Sequence, residues 1–174
     1  NTFNKALEDG GPNNSIAPAI AFGSFGDKHA LYSCGFIGYQ DTIWDAQCSI
    51  NVTGDGFITA QGRETANDTG GYVFRGCDVS GTGHAVLGRA YHAFSRVIFI
   101  DSKFSNAVKP EGWFIWKQTG HEKDITYAEV NCTGPGADTS KRVPWEKKLD
   151  SLEVTQYTTQ AFIDQDGWIA KLPM

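Results

Sequence analysis

The sequence predicts an all-β protein built as a parallel β-helix, on three observations. Short segments of alternating apolar character recur at steps in the middle twenties, and no helical stretch separates them. The 20 glycines among 174 residues, with 11 Phe, 6 Tyr and 5 Trp, make turns dense and long helices costly.

The repeating segments are Leu31–Gly38, Gln47–Gly54, Phe74–Gly81, Phe99–Ser105 and Tyr127–Gly134. With Phe36, Ile50, Val79, Phe104 and Val130 taken as equivalent positions, the steps are 14, 29, 25 and 26 residues. Strand-and-turn units of that length stack like positions into internal ladders. Cys34, Cys48 and Cys77 each stand two positions before their marker, which predicts a stack of buried cysteines, because Cys packs as a small hydrophobe, with a disulfide the lesser alternative. The 14-residue step is the exception. A coil has to travel out and back at about 3.3 Å per residue, so this one is expected to be disrupted near residues 42–48.

The C-terminal part departs from the repeat. Gly134–Lys141 reads as loop from its turn residues. Asp150 and Glu153 have the spacing of a capping box, and Leu149 and Val154 that of a hydrophobic staple, so a short helix is expected near 151–161. The expected division is a partial solenoid over 1–145 and a tail over 146–174 whose helix packs on the solenoid or covers its open end.

A net charge of −5 argues against a nucleic-acid partner, which calls for a basic patch to displace counterions from phosphate. No apolar run approaches the roughly 18 residues of a membrane span. The N-terminal Asn1-Thr2-Phe3 has neither an initiator Met nor a signal-peptide profile, and the chain is read as starting within a longer protein. Cys34, Cys48, Cys77 and Cys132 match no zinc-site spacing, so no metal is expected. Asn-x-Ser/Thr sequons at Asn13, Asn51, Asn67 and Asn131 suit an extracellular chain.

Several motifs, in order, carry more than composition does. They are Cys34-Gly-Phe-Ile-Gly-Tyr-Gln-Asp-Thr42, Ile58-Thr-Ala-Gln-Gly-Arg63, Val86-Leu-Gly-Arg89, Ser95-Arg-Val97 and Pro110-Glu-Gly-Trp113 with Trp116. Thr133-Gly-Pro-Gly-Ala137, Arg142-Val-Pro-Trp145 and Phe162-Ile-Asp164 with Gly167-Trp168 complete the series. Taken singly, an Asp in a glycine-flanked turn is more often a solvated turn former, and an Arg beside Gly a surface ion pair. Together the motifs resemble the plant pectinesterases (pectin methylesterases) over nearly the whole chain.

The resemblance implies a right-handed parallel β-helix and hydrolysis of the methyl esters of homogalacturonan without metal or organic cofactor. An aspartate nucleophile attacks the ester carbonyl, a second aspartate serves as general acid and then base, and glutamines steady the oxyanion. An arginine keeps the nucleophile ionised. Carried over by motif, Asp41 resembles the acid/base, Gln40 an oxyanion donor and Arg89 the positioning arginine. Tyr91 stands where the family usually has a sugar-contacting Trp, and Trp113 and Trp116 are candidates either for the groove wall or for ordinary packing.

Two departures weigh against activity. The family's Asp-Phe-(Ile/Val)-Phe-Gly nucleophile segment, about one coil beyond the Gln-Asp motif, has no match in this chain. Its place falls in the 14-residue step, where roughly 25 to 30 residues are expected to be absent. At Ala17-Pro18-Ala19-Ile20, Pro18 cannot supply the oxyanion amide that many relatives have there.

The expectation is therefore a secreted cell-wall protein, monomeric, of the pectinesterase family, truncated, with methanol release very low or absent. The alternative is a non-catalytic protein that binds pectin or the pectinesterase inhibitor proteins. A third reading is the product of an incomplete gene model, which cooperative unfolding of the expressed chain would rule against. Calcium-binding acids of a lyase and the further cleft aspartates of a polygalacturonase are not found.

Overall fold

The computed structural model describes residues 35–38, 48–68 and 70–159, with backbone only for the first of these. Among the described residues, ten strands make three parallel sheets. The first sheet holds β1 (Gly35–Gly38), β2 (Ser49–Val52), β5 (Asp78–Gly81) and β8 (Lys103–Phe104) in that order. The second holds β3 (Gly56–Gln61), β6 (Ala85–Ala90) and β9 (Trp113–Phe114), and the third β4 (Tyr72–Arg75), β7 (Arg96–Ile100) and β10 (Thr126–Val130). Each successive trio, β2-β3-β4, β5-β6-β7 and β8-β9-β10, visits the three sheets in turn. The fold is a right-handed parallel β-helix.

The repeat markers are confirmed in the first sheet, where Phe36 pairs with Ile50, Ile50 with Val79 and Val79 with Phe104. Ile50, Val79 and Phe104 are at most 1% exposed, and burial of each contributes about 1.5–3 kcal/mol. The fifth marker was misplaced. Val130 ends β10 and pairs with Ile100 in the third sheet, whereas the first sheet continues through a bridge from Lys103 to Thr133. The position over Phe104 is thus Gly134, where a Cβ would meet the Phe104 carbonyl oxygen at 2.4 Å. A ladder position occupied by glycine is invisible to a search for apolar markers.

That correction brings Cys132 into line with the other cysteines, two positions before Gly134. Cys48 and Cys77 are buried and Cys132 half-buried, while Cys34 lies outside the described residues. Ser102 takes the equivalent place in the intervening coil. Its hydroxyl donates to the Ile100 carbonyl at 3.0 Å and accepts the Cys77 N–H at 3.1 Å. The corners before Cys77, Ser102 and Cys132 are each turned by one left-handed residue, Gly76, Asp101 and Asn131, with φ of 66°, 51° and 52°.

Alternation within β7 separates two apolar layers. Val97 and Phe99 point into the solenoid, where Phe99 stacks on Phe74 with ring centroids 4.4 Å apart and meets Phe104 edge-on. Ile98 and Ile100 point outward and are covered, with Ala128, by Leu149, Val154 and Tyr157. The covering element is α1 (Ser151–Thr158), so the expected helix forms and lies on the outer face of the third sheet. Its start is set by the expected capping box: the Asp150 carboxylate accepts the Leu152 and Glu153 N–H groups, and Glu153 accepts the Asp150 N–H.

Beyond β10 the chain crosses the last coil. Arg142 donates two hydrogen bonds to Glu129, at 2.6 and 3.0 Å, and others to the Lys109, Pro110 and Gly136 carbonyls. Both side chains of the ion pair are nearly inaccessible, at 2% and 3% exposed. Burial pushes the Glu129 carboxyl up and the Arg142 guanidinium opposes it.

Candidate functional site

The second sheet carries the candidate site because its outer face collects a cation and three aromatic rings. Ala60, Arg89 and Phe114 are neighbours across β3, β6 and β9. The Arg89 guanidinium carbon lies 4.5 Å from the Trp116 ring centroid and 4.9 Å from that of Phe57. Phe57 meets Phe114 at 5.6 Å and Trp116 at 5.9 Å, and Phe114 meets Trp116 at 6.1 Å. Arg89 is 8% exposed and Phe114 43%, so the rings form the surface and the cation sits among them. Desolvation raises the worth of such cation–π contacts toward about 2 kcal/mol.

Trp116 has φ of 55°, a conformation that costs a bulky residue about 1–3 kcal/mol. Its ring contacts with Arg89, Phe57 and Phe114 offset that strain. Within the Leu87-Gly88-Arg89 motif, the glycine is required by close packing: a Cβ on Gly88 would lie 2.4 Å from Thr59 Oγ1 and 3.3 Å from the Trp113 ring.

The residues singled out from sequence go to different places. Arg89 and Trp116 are together. Tyr91 is 53% exposed just past β6 and held by its backbone, with its N–H donating to the Gln61 carbonyl and its carbonyl accepting from Gln118. Its ring packs edge-on against His92 at 5.1 Å. Trp113, left open between groove wall and ordinary packing, packs in the core. It is 1% exposed, with its ring 4.6 Å from Tyr127 and 6.2 Å from Phe99, because its strand pairing with Gly88 turns it inward. Gln40 and Asp41 lie outside the described residues, as does Pro18.

Phe57 was missed by sequence reasoning. The 29-residue step that relates Ile50 to Val79 also relates Phe57 to Val86 and Ala60 to Arg89, so counting that period back from Arg89 leads to its neighbourhood. The Ile58–Arg63 motif is structural. Gln61 accepts the Arg96 N–H on its side-chain oxygen, and Arg63 donates to the Ala66, Asp68 and Phe94 carbonyls. Among the described residues, no group of three or more His, Cys, Asp or Glu side chains is placed to hold a metal ion. Also among them, no helix is long and apolar enough to cross a membrane.

The fold and this surface define a parallel β-helix with a cationic aromatic site on one outer sheet. Comparison with known proteins gives the family. A pectinesterase family model matches residues 46–166. The chain is 40% identical to the sequence named pectinesterase 55 of Arabidopsis thaliana over 92% of its length and 59% of the relative's. It is 39% identical to that named pectinesterase 10 of Arabidopsis thaliana over 99% of its length and 61% of the relative's. Among solved structures it resembles the pectin methylesterase from carrot, with a TM-score of 0.71, 27% identity and coverage of 82% of this chain and 52% of that one. The Aspergillus niger pectin methylesterase matches with a TM-score of 0.69, 25% identity and coverage of 89% and 60%. This chain belongs to the pectinesterase family.

The chain spans about three-fifths of the length of these curated relatives. The match with pectinesterase 10 runs over 208 residues against the 174 of this chain, which leaves at least 34 positions without a counterpart here.

Proposed function

We propose that this protein engages homogalacturonan in the plant cell wall through the outer face of the second sheet, and that its methyl-ester hydrolysis is lost or very slow. The observation that carries this reading is the register of β1 on β2. Phe36 pairs with Ile50 after 14 residues, whereas Ile50 pairs with Val79 after 29. Each later coil uses its longer step to lay one strand in the second sheet and one in the third. Half that length leaves no room for the coil on which the family carries its nucleophilic aspartate. The unmatched positions in the longer relative are in keeping with such a loss.

Complete chemistry would join a nucleophilic carboxylate to the ester carbon, expel methanol with a proton from Asp41, and then hydrolyse the acyl-enzyme with Asp41 as base. Gln40 would donate to the oxyanion, and Arg89 would hold the nucleophile charged. Without the attacking carboxylate, binding and oxyanion stabilisation are what remain, and rates fall by several orders of magnitude. Arg89, Phe57, Phe114 and Trp116 supply a cation and ring faces suited to an acidic sugar, and Tyr91 adds a further exposed ring. The same surface is open to a pectinesterase inhibitor protein.

Secretion as a monomer fits the sequons and the acidic charge. Residues 146–174 are read as a tail whose helix seals the third sheet. The test has two arms on the purified chain: methanol release from highly esterified pectin, and titration with de-esterified oligogalacturonate followed by Trp fluorescence. Saturable binding with methanol at background is the expected result. Turnover close to that of a complete relative, or no saturable binding, would overturn the proposal.

A further inference from the structure

Three of the sequon asparagines, Asn51, Asn67 and Asn131, are among the described residues, and their placement distinguishes Asn131 from the other two. Asn51 is half-buried in the middle of β2, between Ile37 and Ser80. Asn67 is exposed in the loop between the second and third sheets, beside Asp68, whose carboxylate is occupied by the Glu64 and Thr65 N–H groups. Asn131 is exposed at the corner between the third and first sheets. Its φ of 52° turns the chain away from β10, and its amide makes one long contact, to Asp101 Oδ1 at 3.4 Å.

Thr133, which completes the Asn131 sequon, is also exposed. Its N–H donates to the Ser102 carbonyl and its carbonyl accepts from Phe104, so its backbone fixes the corner without its hydroxyl. The corner lies across the solenoid from the second sheet. A glycan there projects away from Arg89 and Trp116, whereas one at Asn67 would stand beside Glu64 and His92, at an end of that sheet.

We propose that Asn131 carries an N-linked glycan that leaves the outer face of the second sheet open. Asn131 Nδ2 attacks C1 of the first N-acetylglucosamine of a polyprenyl-diphosphate-linked oligosaccharide. The N–C1 bond forms, the C1–O bond to the diphosphate breaks, the amide loses one proton and the polyprenyl diphosphate leaves. The amide keeps one N–H, enough for its contact with Asp101. Transfer to the extended nascent chain precedes folding, so the folded corner has only to accommodate the bulk.

This inference rests on the secretory reading, and the experiment separates the two by imposing secretion. The full chain is translated behind a secretory leader in the presence of endoplasmic-reticulum microsomes. Product protected from added protease is then treated with peptide-N-glycosidase, and its peptides are weighed. The Asn131 peptide is expected to gain the one-dalton mark of a released glycan. Thr133→Ser keeps the mark, while Thr133→Ala and Asn131→Asp lose one glycan from the intact mass. An unmodified Asn131 peptide in the protected product overturns the proposal, whichever other sequon is occupied. Because the leader is supplied, the result holds wherever the protein resides naturally.

Discussion

Removing the Arg142 side chain should expose how the last coil is closed. Arg142→Ala deletes two hydrogen bonds to Glu129 and those to the Lys109, Pro110 and Gly136 carbonyls, and it strands a carboxylate that is 3% exposed. Breaking a buried pair from one side costs about 3–5 kcal/mol. At about 2–4 °C per kcal/mol for a domain of this size, Tm should fall by about 6–20 °C. With the guanidinium gone, burial and then the Glu146 carboxylate push the Glu129 carboxyl up against Lys148 alone, so its folded pKa stays above the unfolded value. Stability of the variant is then greatest below the ordinary carboxylate pKa and is lost as pH rises through the folded one. The deficit should be smaller near pH 4 than at pH 7. Adding Glu129→Ala should recover more than about 1 kcal/mol of the loss, because no unpaired charge remains. Denaturant melts of the parent, both single variants and the double provide the cycle. A single-variant cost under about 1 kcal/mol, or strict additivity, would refute the argument that this pair closes the coil.

Three further outcomes follow from the same structure. Asp150→Ala removes the acceptor for the Leu152 and Glu153 N–H groups and should cost about 1 kcal/mol, read as earlier loss of α1 in hydrogen exchange; unchanged protection would speak against the cap. Backbone N–H groups of Thr65 and Ser140 hold the Asp68 and Asp138 carboxyls below their ordinary range. Their contribution is present above the unfolded pKa of about 4 and lost as pH falls through the lowered folded values, so Asp68→Asn with Asp138→Asn should flatten the fall of Tm in acid, and an unchanged slope would contradict this. Trp116→Ala should weaken oligogalacturonate binding about three- to tenfold in titration, through loss of ring contact beside Arg89, and unaltered affinity would remove Trp116 from the site.

The sequence made the solenoid legible because its interior ladders repeat. Ile50, Val79 and Phe104 are apolar at coil-length spacing, and the cysteines before the first two reinforce the phase. It misled at Val130, since strands of the third and first sheets alternate alike and only two residues separate them at each corner. The helix was readable from local chemistry alone, as a capping box depends on neighbours in sequence. Trp113 was not, because its direction is set by a glycine one coil away. Phe57 escaped for a similar reason: its role exists only where coils stack Arg89 against it.

The central claim is that a lost coil, and with it the nucleophile, separates this chain from an active esterase. Methanol release from highly esterified pectin should be compared for the chain as it stands and for one with roughly 25 to 30 residues of a complete relative's nucleophile coil inserted between Asp41 and Cys48. The account predicts background release from the first and measurable turnover from the second. Turnover by the unaltered chain equal to that of a complete relative would contradict it.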